Sequence, residues 1–454
     1  MMRSRTLALL LAACLLGAAP SALGLPAPEE ADHSENVRQI GRVEMRLTDG
    51  TPWDTGYMAF EDDILVGGAG FDQYTETAEE TTLARGFGIF RILPRAPYLK
   101  QLSFFRCSSG QQGDISIWKG FVFLSVSGAN EYTSKTCNNT DDSAGKTGVR
   151  VVDISDPRHP RQVRFIDTSC GSTIHTLVPG KNGVAYIYEP NGGACPTGSA
   201  SPSFRMDVIR FDPNRPRKAD VVTAPNLQGQ DGCMDIAVFM PRRLAACMML
   251  YHVSLYDISD PLNPKFLKEI TPPGAANMNE AGFTWDGNVL ILSDQGEGAG
   301  LTAACSGDAS TPDFFFYAIE DINDPTLLGT YSAERTVVPD TDRRFIGCMP
   351  WDFTIVPTKD PTRYKAAVGY MAGGMSLIDF SVPSAATEIA YYVAMDGETS
   401  ASDVAHNYWY RGRFYVGEGQ TRKGIRVMKI DGFSRANVRD MSRYNPQTQV
   451  GPVQ

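Results

Sequence analysis

At 454 residues, 42% of them hydrophobic and 21% charged, the chain has room for two or three ordinary domains or one large repeat-built one, with the composition of a soluble globular protein. The formal net charge is −10, and −12 without Arg3 and Arg5 of the first segment. A surface of that sign repels phosphate backbones, which argues against a nucleic-acid partner.

Arg3 and Arg5 precede an apolar run, Thr6 to Ala19, that is too short to span a bilayer, and Ala22-Leu23-Gly24 places small residues at a cleavage position. A signal peptide over residues 1–24 is expected, with export to the periplasm, the cell surface or the medium. A competing reading takes Leu11-Ala12-Ala13-Cys14 as a lipoprotein box with lipid on Cys14; the apolar run continues past Cys14, which favours the ordinary signal. No other stretch approaches the roughly 18 apolar residues of a membrane span, so no transmembrane segment is expected. Nine cysteines less Cys14 leave eight, and an oxidising compartment predicts four disulfides. The close pairs of a zinc site, such as C-x-x-C, are missing.

Beyond a linker over residues 25–37, Gly41 to Leu47 reads as a lone alternating strand. One unit then recurs. Its clearest copy is Val149 to Asp167, V-R-V-V-D-I-S-D-P-R-H-P-R-Q-V-R-F-I-D, and a near copy lies at Val253 to Ile270. Aligned on the turn after the third strand, seven occurrences appear: Arg91 to Pro94, Asp153 to Pro157, Arg210 to Pro213, Asp257 to Pro261, Asp321 to Pro325, Asp379 to Pro383 and Lys429 to Gly432. Their spacing, 47 to 64 residues, exceeds a helical-repeat period and leaves room for four strands and a loop. A β-rich run precedes each turn, as in Phe314 to Tyr317, and Gln162 to Ile166 shows the run on its far side. Asp and Ser side chains accept backbone N–H groups in such turns, and Pro fixes φ. Upstream lies a hairpin, as at Phe283 to Leu292 around Asp286-Gly287. Four antiparallel strands in seven copies predict an all-β, seven-bladed β-propeller over residues 38–433. The last unit lacks a fourth strand, and Gly41–Leu47 is expected to supply it and close the ring. Residues 434–454 read as a C-terminal tail.

Gly148 to Pro157 and Val253 to Pro264 resemble the LVIVD repeat. The units at Asp321 and Asp379 match it in part, and the first, third and last lack the leading Asp. Proteins of that family are bacterial and archaeal, secreted or on the cell surface, and similar to β-propellers. The resemblance implies fold and location and carries no single activity.

In a propeller the innermost strand runs down from the top face, so the D-I-S-D-P turns lie on the bottom, and Asp153, Asp257, Asp321 and Asp379 read as turn formers. The cysteines sort to the top. Cys107, Cys170, Cys233 and Cys348 precede innermost strands, while Cys137, Cys195, Cys247 and Cys305 fall at connections between second and third strands. Pairs Cys107–Cys137, Cys170–Cys195, Cys233–Cys247 and Cys305–Cys348 are expected. The longest such connections, residues 128–147, 191–203 and 295–313, with the acidic stretch 74–82, are candidates for recognition.

Polar residues recur where innermost strands begin: Asp114, His175, Asp235, Glu280, Asp352 and His406. They predict a ring of carboxylates and imidazoles at the tunnel mouth, with Trp351 and Tyr408 as an apolar wall. Asp114, Asp235, Asp352, His175 and His406 are candidate ligands of a divalent cation, or divide as acid and base. Equally, an Asp there can cap a turn or bond the next blade, a His can be a satisfied hydrogen-bonder, and a one-residue slip would turn each side chain to the core. Asn138-Asn139-Thr140 is a glycosylation sequon at Asn138. No phosphate-binding loop or G-x-S-x-G elbow is present. The pattern is read as an exported binding or scaffold protein taking a protein, glycan or small ligand on its braced top face, with a hydrolase or lyase at the tunnel mouth as the alternative.

Overall fold

The computed structural model describes residues 31–53, 55–69, 86–107, 114–126, 148–169, 174–190, 205–227, 233–296, 312–333, 349–371, 373–394, 404–418 and 424–451. Their β-branched and aromatic runs pair into seven antiparallel sheets set around an axis, a seven-bladed β-propeller. The second blade is representative, with strands Ile115–Trp118, Phe121–Val126, Gly148–Asp153 and Arg161–Asp167 in spatial order. Each of the seven turns read from the sequence comes after the third strand of its blade. The helical content is three short 3-10 turns among the described residues, and no helix there is long and apolar enough to cross a membrane.

Alternation along V-R-V-V does not leave a wet face. Arg150 is buried, with its guanidinium 4.9 Å from the centre of the Phe165 ring and Nη1 donating to Gln162 Oε1 at 2.8 Å. Sheets in a propeller are covered on both sides, so their apolar residues meet between blades. One cluster joins blades 1 and 2 through Phe87, Phe105, Ile115 and Leu124, and the largest spans blades 6, 7 and 1.

On the bottom face, turns tie neighbouring blades. Glu61 accepts the N–H groups of Lys119 and Gly120 at 2.9 and 2.7 Å, the indole N–H of Trp118 donates to Gly183 O, and that of Trp285 to Ile355 O. The acids of the D-I-S-D-P turns are spent locally: Asp153, Asp257, Asp321 and Asp379 accept the backbone N–H two residues on at 2.7 to 2.9 Å. They are turn formers, as their residue types imply.

The ring closes with the chain's own start. Val37–Val43 pairs antiparallel with Gly424–Ile430 as the fourth strand of blade 7. The closing strand begins four residues before the expected Gly41, because a bulge between Gln39 and Gly41 breaks the period of two. Ala31–His33, expected within a linker, adds an outer strand to blade 6.

The C-terminal segment enters the tunnel from below. Arg443–Tyr444 pairs with Glu61 and Phe60 of the innermost strand of blade 1; the chain then turns, and Thr448–Gln449 runs parallel to Val238 and Phe239 of blade 4. Asn445 brackets Ile117 of blade 2, donating to its carbonyl and accepting its N–H, and Gln449 does the same to Phe283 of blade 5. These side-chain amides serve as strand partners for innermost edges that would otherwise be buried unpaired.

Gly148 opens the third strand of blade 2 at φ +151, where a Cβ would lie 1.9 Å from Ile166 O. Gly148→Ala is expected to destabilise the protein by more than about 1 kcal/mol, read as a lowered denaturant midpoint, since both the backbone conformation and the strand pairing must give way.

Candidate functional site at the tunnel mouth

The six polar positions predicted at the heads of the innermost strands are all buried around the axis. Blades 2 to 4 place them at strand entry, since Asp114 and His175 immediately precede Ile115–Trp118 and Thr176–Pro179, and Asp235 opens Asp235–Phe239. Blades 5 to 7 reach the same level by a different route. There the innermost strand starts upstream, and a bulge falls between Met278 and Ala281, between Pro350 and Asp352, and between Val404 and His406. An inserted residue re-aims the side chains next to it, which returns Glu280, Asp352 and His406 to the tunnel. Trp351 is itself the inserted residue in blade 6, half-buried, with its carbonyl accepting from Asn279 Nδ2 at 2.7 Å.

The two imidazoles have different surroundings. His175 is saturated: Nε2 lies 2.7 Å from Ser116 Oγ, and Nδ1 lies 2.7 Å from Ser125 Oγ and 3.1 Å from Asp114 Oδ2. Its backbone N–H also donates to Asp114. This is a satisfied structural histidine. His406 is addressed through Nδ1, 2.8 Å from Asp352 Oδ2, and the same carboxylate oxygen accepts from the Tyr408 hydroxyl at 2.5 Å. Tyr408 thus contributes a hydroxyl to the site rather than the apolar wall expected of it. An acid on Nδ1 holds the ring in the tautomer whose Nε2 is the free base.

Glu280 lies next to this pair. Its Oε2 accepts the Phe353 N–H at 2.7 Å, its Oε1 accepts from Gln447 Nε2, and its carboxyl shares a hydrogen bond with that of Asp352. Burial pushes Glu280 well above the usual carboxylate range, helped by the charge of Asp352, which favours its protonated form. Asp235 is likewise pushed up by burial, against a hydrogen bond from the Ile236 N–H and with the charges of Asp114 and Asp352 adding to it.

Three residues of the site escaped sequence reasoning. Tyr57 precedes Met58–Glu61 as Asp114 precedes its strand, so it is the blade 1 member of the ring; its own ring lies 4.3 Å from that of His406. The positional rule that found the others would have found it. Tyr444 and Gln447 come from the C-terminal segment, which carries no repeat signal.

Asp114, Asp235, Asp352, His175 and His406 do not gather as a coordination sphere. Among the described residues, no group of three or more His, Cys, Asp or Glu is placed to hold a metal ion. The imidazoles fall instead into separate hydrogen-bonded pairs with Asp114 and Asp352, and the cation expectation finds no ligand set. Of the expected disulfides, Cys233–Cys247 is present, with Cα atoms 5.3 Å apart. Cys107 is also disulfide-bonded. Cys137, Cys170, Cys195, Cys305, Cys348 and the Asn138 sequon lie outside the described residues.

Two of the solved structures similar to this one are described as lactonases. The first is the periplasmic gluconolactonase of Pseudomonas aeruginosa, with a TM-score of 0.53 and 12% identity over 77% of this chain and 87% of that one. The second is a candidate 6-phosphogluconolactonase from Bacteroides fragilis, at 0.50 and 10% over 79% and 84%. The likeness is one of fold. No family model and no curated protein matches the chain, so the resemblance to the LVIVD repeat stands on the residues quoted for it.

A further buried acid sets a pH dependence outside the ring. Burial pushes Asp313 of blade 5 up to about 7, against hydrogen bonds from the Ala333 N–H at 2.8 Å and the Tyr370 hydroxyl at 3.1 Å. A carboxyl raised on folding stabilises fully below its unfolded value near 3.8, and that contribution is lost as pH rises through about 7. Stability in urea should therefore fall by on the order of a few kcal/mol between pH 4 and 8, and Asp313→Asn should flatten that slope.

Proposed function

We propose that the protein is an exported hydrolase that opens a small lactone or related ester at the tunnel mouth. The observation that carries this reading is the Asp352–His406 pair set beside the buried Glu280: an imidazole held at Nδ1 by one acid, next to a second carboxyl that burial pushes up towards its protonated form. The hairpin fills the tunnel below them, so a substrate approaches from the top face.

In this scheme Asp352 accepts a hydrogen bond from the Nδ1–H of His406 and stabilises the imidazolium that forms when Nε2 takes a proton from water as its oxygen adds to the carbonyl carbon. The tetrahedral intermediate collapses with cleavage of the ring C–O bond, and Glu280 delivers its proton to the departing ring oxygen. The product is the hydroxy acid. His406 loses its extra proton to solvent and Glu280 regains one. Asp114 and His175 hold neighbouring blades together and take no part. That the two structures named above are described as lactonases supports the substrate class, and at their identity the shared feature is the fold. The Cys233–Cys247 bridge supports an oxidising compartment and hence export.

A second reading, ligand binding without turnover, draws on that same bridge, which braces the head of the innermost strand of blade 4 against its neighbour.

Titration of acid release from a panel of aldonolactones and simple esters separates the two. The wild-type protein should hydrolyse at least one of them, and His406→Ala and Asp352→Asn should each lose roughly 100-fold or more in kcat with melting temperatures kept. His175→Ala should instead lose stability. Saturable binding of a lactone with no hydrolysis would favour the binding reading, and full activity in His406→Ala would sink the proposed chemistry.

A further inference from the structure

We propose that Gln447 is a positioning residue of the tunnel-mouth site: from the tip of the C-terminal hairpin it fixes the Glu280 carboxyl against Asp352, completing a site that the seven blades leave unfinished. The inference rests on the acid–base reading given above and adds to it a part of the chain that lies outside the repeats.

The tip is held from several sides. Gln447 sits at φ +60, and its carbonyl accepts the Val238 N–H of blade 4 at 2.7 Å. Thr448 Oγ1 donates to Leu177 O of blade 3 at 2.6 Å, and the Asn445 and Gln449 amides clamp blades 2 and 5. On the near side Tyr444 pairs with Phe60, and its ring centre lies 5.9 Å from that of Tyr408. Between the hairpin and the innermost strands of blades 4 to 6 only about 20 Å³ is left, room for a single water. A side-chain amide anchored so firmly restricts the group it bonds. With Gln447 on Oε1 and the Phe353 N–H on Oε2, both Glu280 oxygens have fixed donors, and the carboxyl plane is set towards Asp352.

The groups facing Glu280 come from every side of the tunnel: Asp352 of blade 6, Asp235 of blade 4, Tyr57 at the head of blade 1 and Tyr444 of the hairpin. Three of these are acids or phenols supplied by the blades. Gln447 opposes them with a neutral donor that favours the ionised carboxylate, so its removal should make Glu280 harder to ionise.

The test uses the full chain with Gln447→Ala, Gln447→Glu and, as a control that loosens the hairpin without touching Glu280, Thr448→Val. The carboxyl stretch of Glu280, assigned by its loss in Glu280→Gln, is tracked by infrared spectroscopy against pH in unliganded protein, alongside the pH profile of lactone hydrolysis. Gln447→Ala should move the Glu280 midpoint upward by about one unit and carry the basic limb of kcat with it. Activity near neutral pH should fall about tenfold, in kcat more than in KM. Thr448→Val should lower the melting temperature and leave both midpoints in place. A Gln447→Ala protein that behaves like Thr448→Val, less stable but with the Glu280 midpoint unmoved, would overturn the assignment. Should the wild type hydrolyse no lactone, the reaction class fails, while the infrared midpoint still decides the role of Gln447.

Discussion

Pairing between Val37–Val43 and Gly424–Ile430 joins the two ends of the chain, and the site depends on that joint. Seven sheets in a row would have two open edges and no tunnel; bent into a ring with the last sheet completed by the first strand, they have neither exposed end nor freedom to splay. Closure also creates the contact between blades 7 and 1 that packs Tyr57 on His406 and Phe60 on Tyr410, with ring centres 4.3 and 4.7 Å apart. Without the clasp the tunnel mouth would lack one side.

A ring brings the heads of seven strands to one axis, and several of those heads are acidic. Buried charges are tolerated only when paired, bonded or neutralised. All three solutions occur here. Asp114 is bonded by His175, Asp352 by His406 and Tyr408, and burial pushes Glu280 towards its neutral form. The same need for compensation makes the cluster chemically uneven. His175, with two serines and an acid around it, has both nitrogens engaged, while His406 among the described residues is bonded through Nδ1. Equivalent positions in a repeat have thus diverged through their neighbours rather than through their own identity.

The tunnel itself had to be filled. Innermost strands present unpaired N–H and C=O groups towards the axis, and the C-terminal hairpin answers them with backbone from Arg443–Tyr444 and Thr448–Gln449 and with the amides of Asn445 and Gln449. That structural task is what places Gln447 beneath Glu280. Propellers serve many chemistries, so the functional reading rests on this local arrangement and not on the architecture.

Fold class, blade number and the role of the bottom-face acids were legible because they are local. A turn acid such as Asp153 bonds a backbone group two residues away, and its strand partner Arg161–Asp167 lies a few residues further on. The six polar ring positions were legible for the same reason, each heading a short β-rich run of its own blade, as Asp114 heads Ile115-Ser116-Ile117 and Asp352 heads Phe353-Thr354-Ile355. Their roles were not. Whether an imidazole is saturated, as His175 is by Ser125, or poised, as His406 is by Asp352, depends on residues about fifty positions away and on three bulges with no signature in composition. The start of the closing strand was misplaced by another bulge, at Gln39. The hairpin was invisible, since residues 443–449 have no repeat and bond to strands as remote as one 382 positions distant. Sequence alone determined the repeating frame, because short-range strand and turn preferences suffice to write it; tertiary closure alone decided the site, because only the completed ring brings seven strand heads and one chain end within hydrogen-bonding reach.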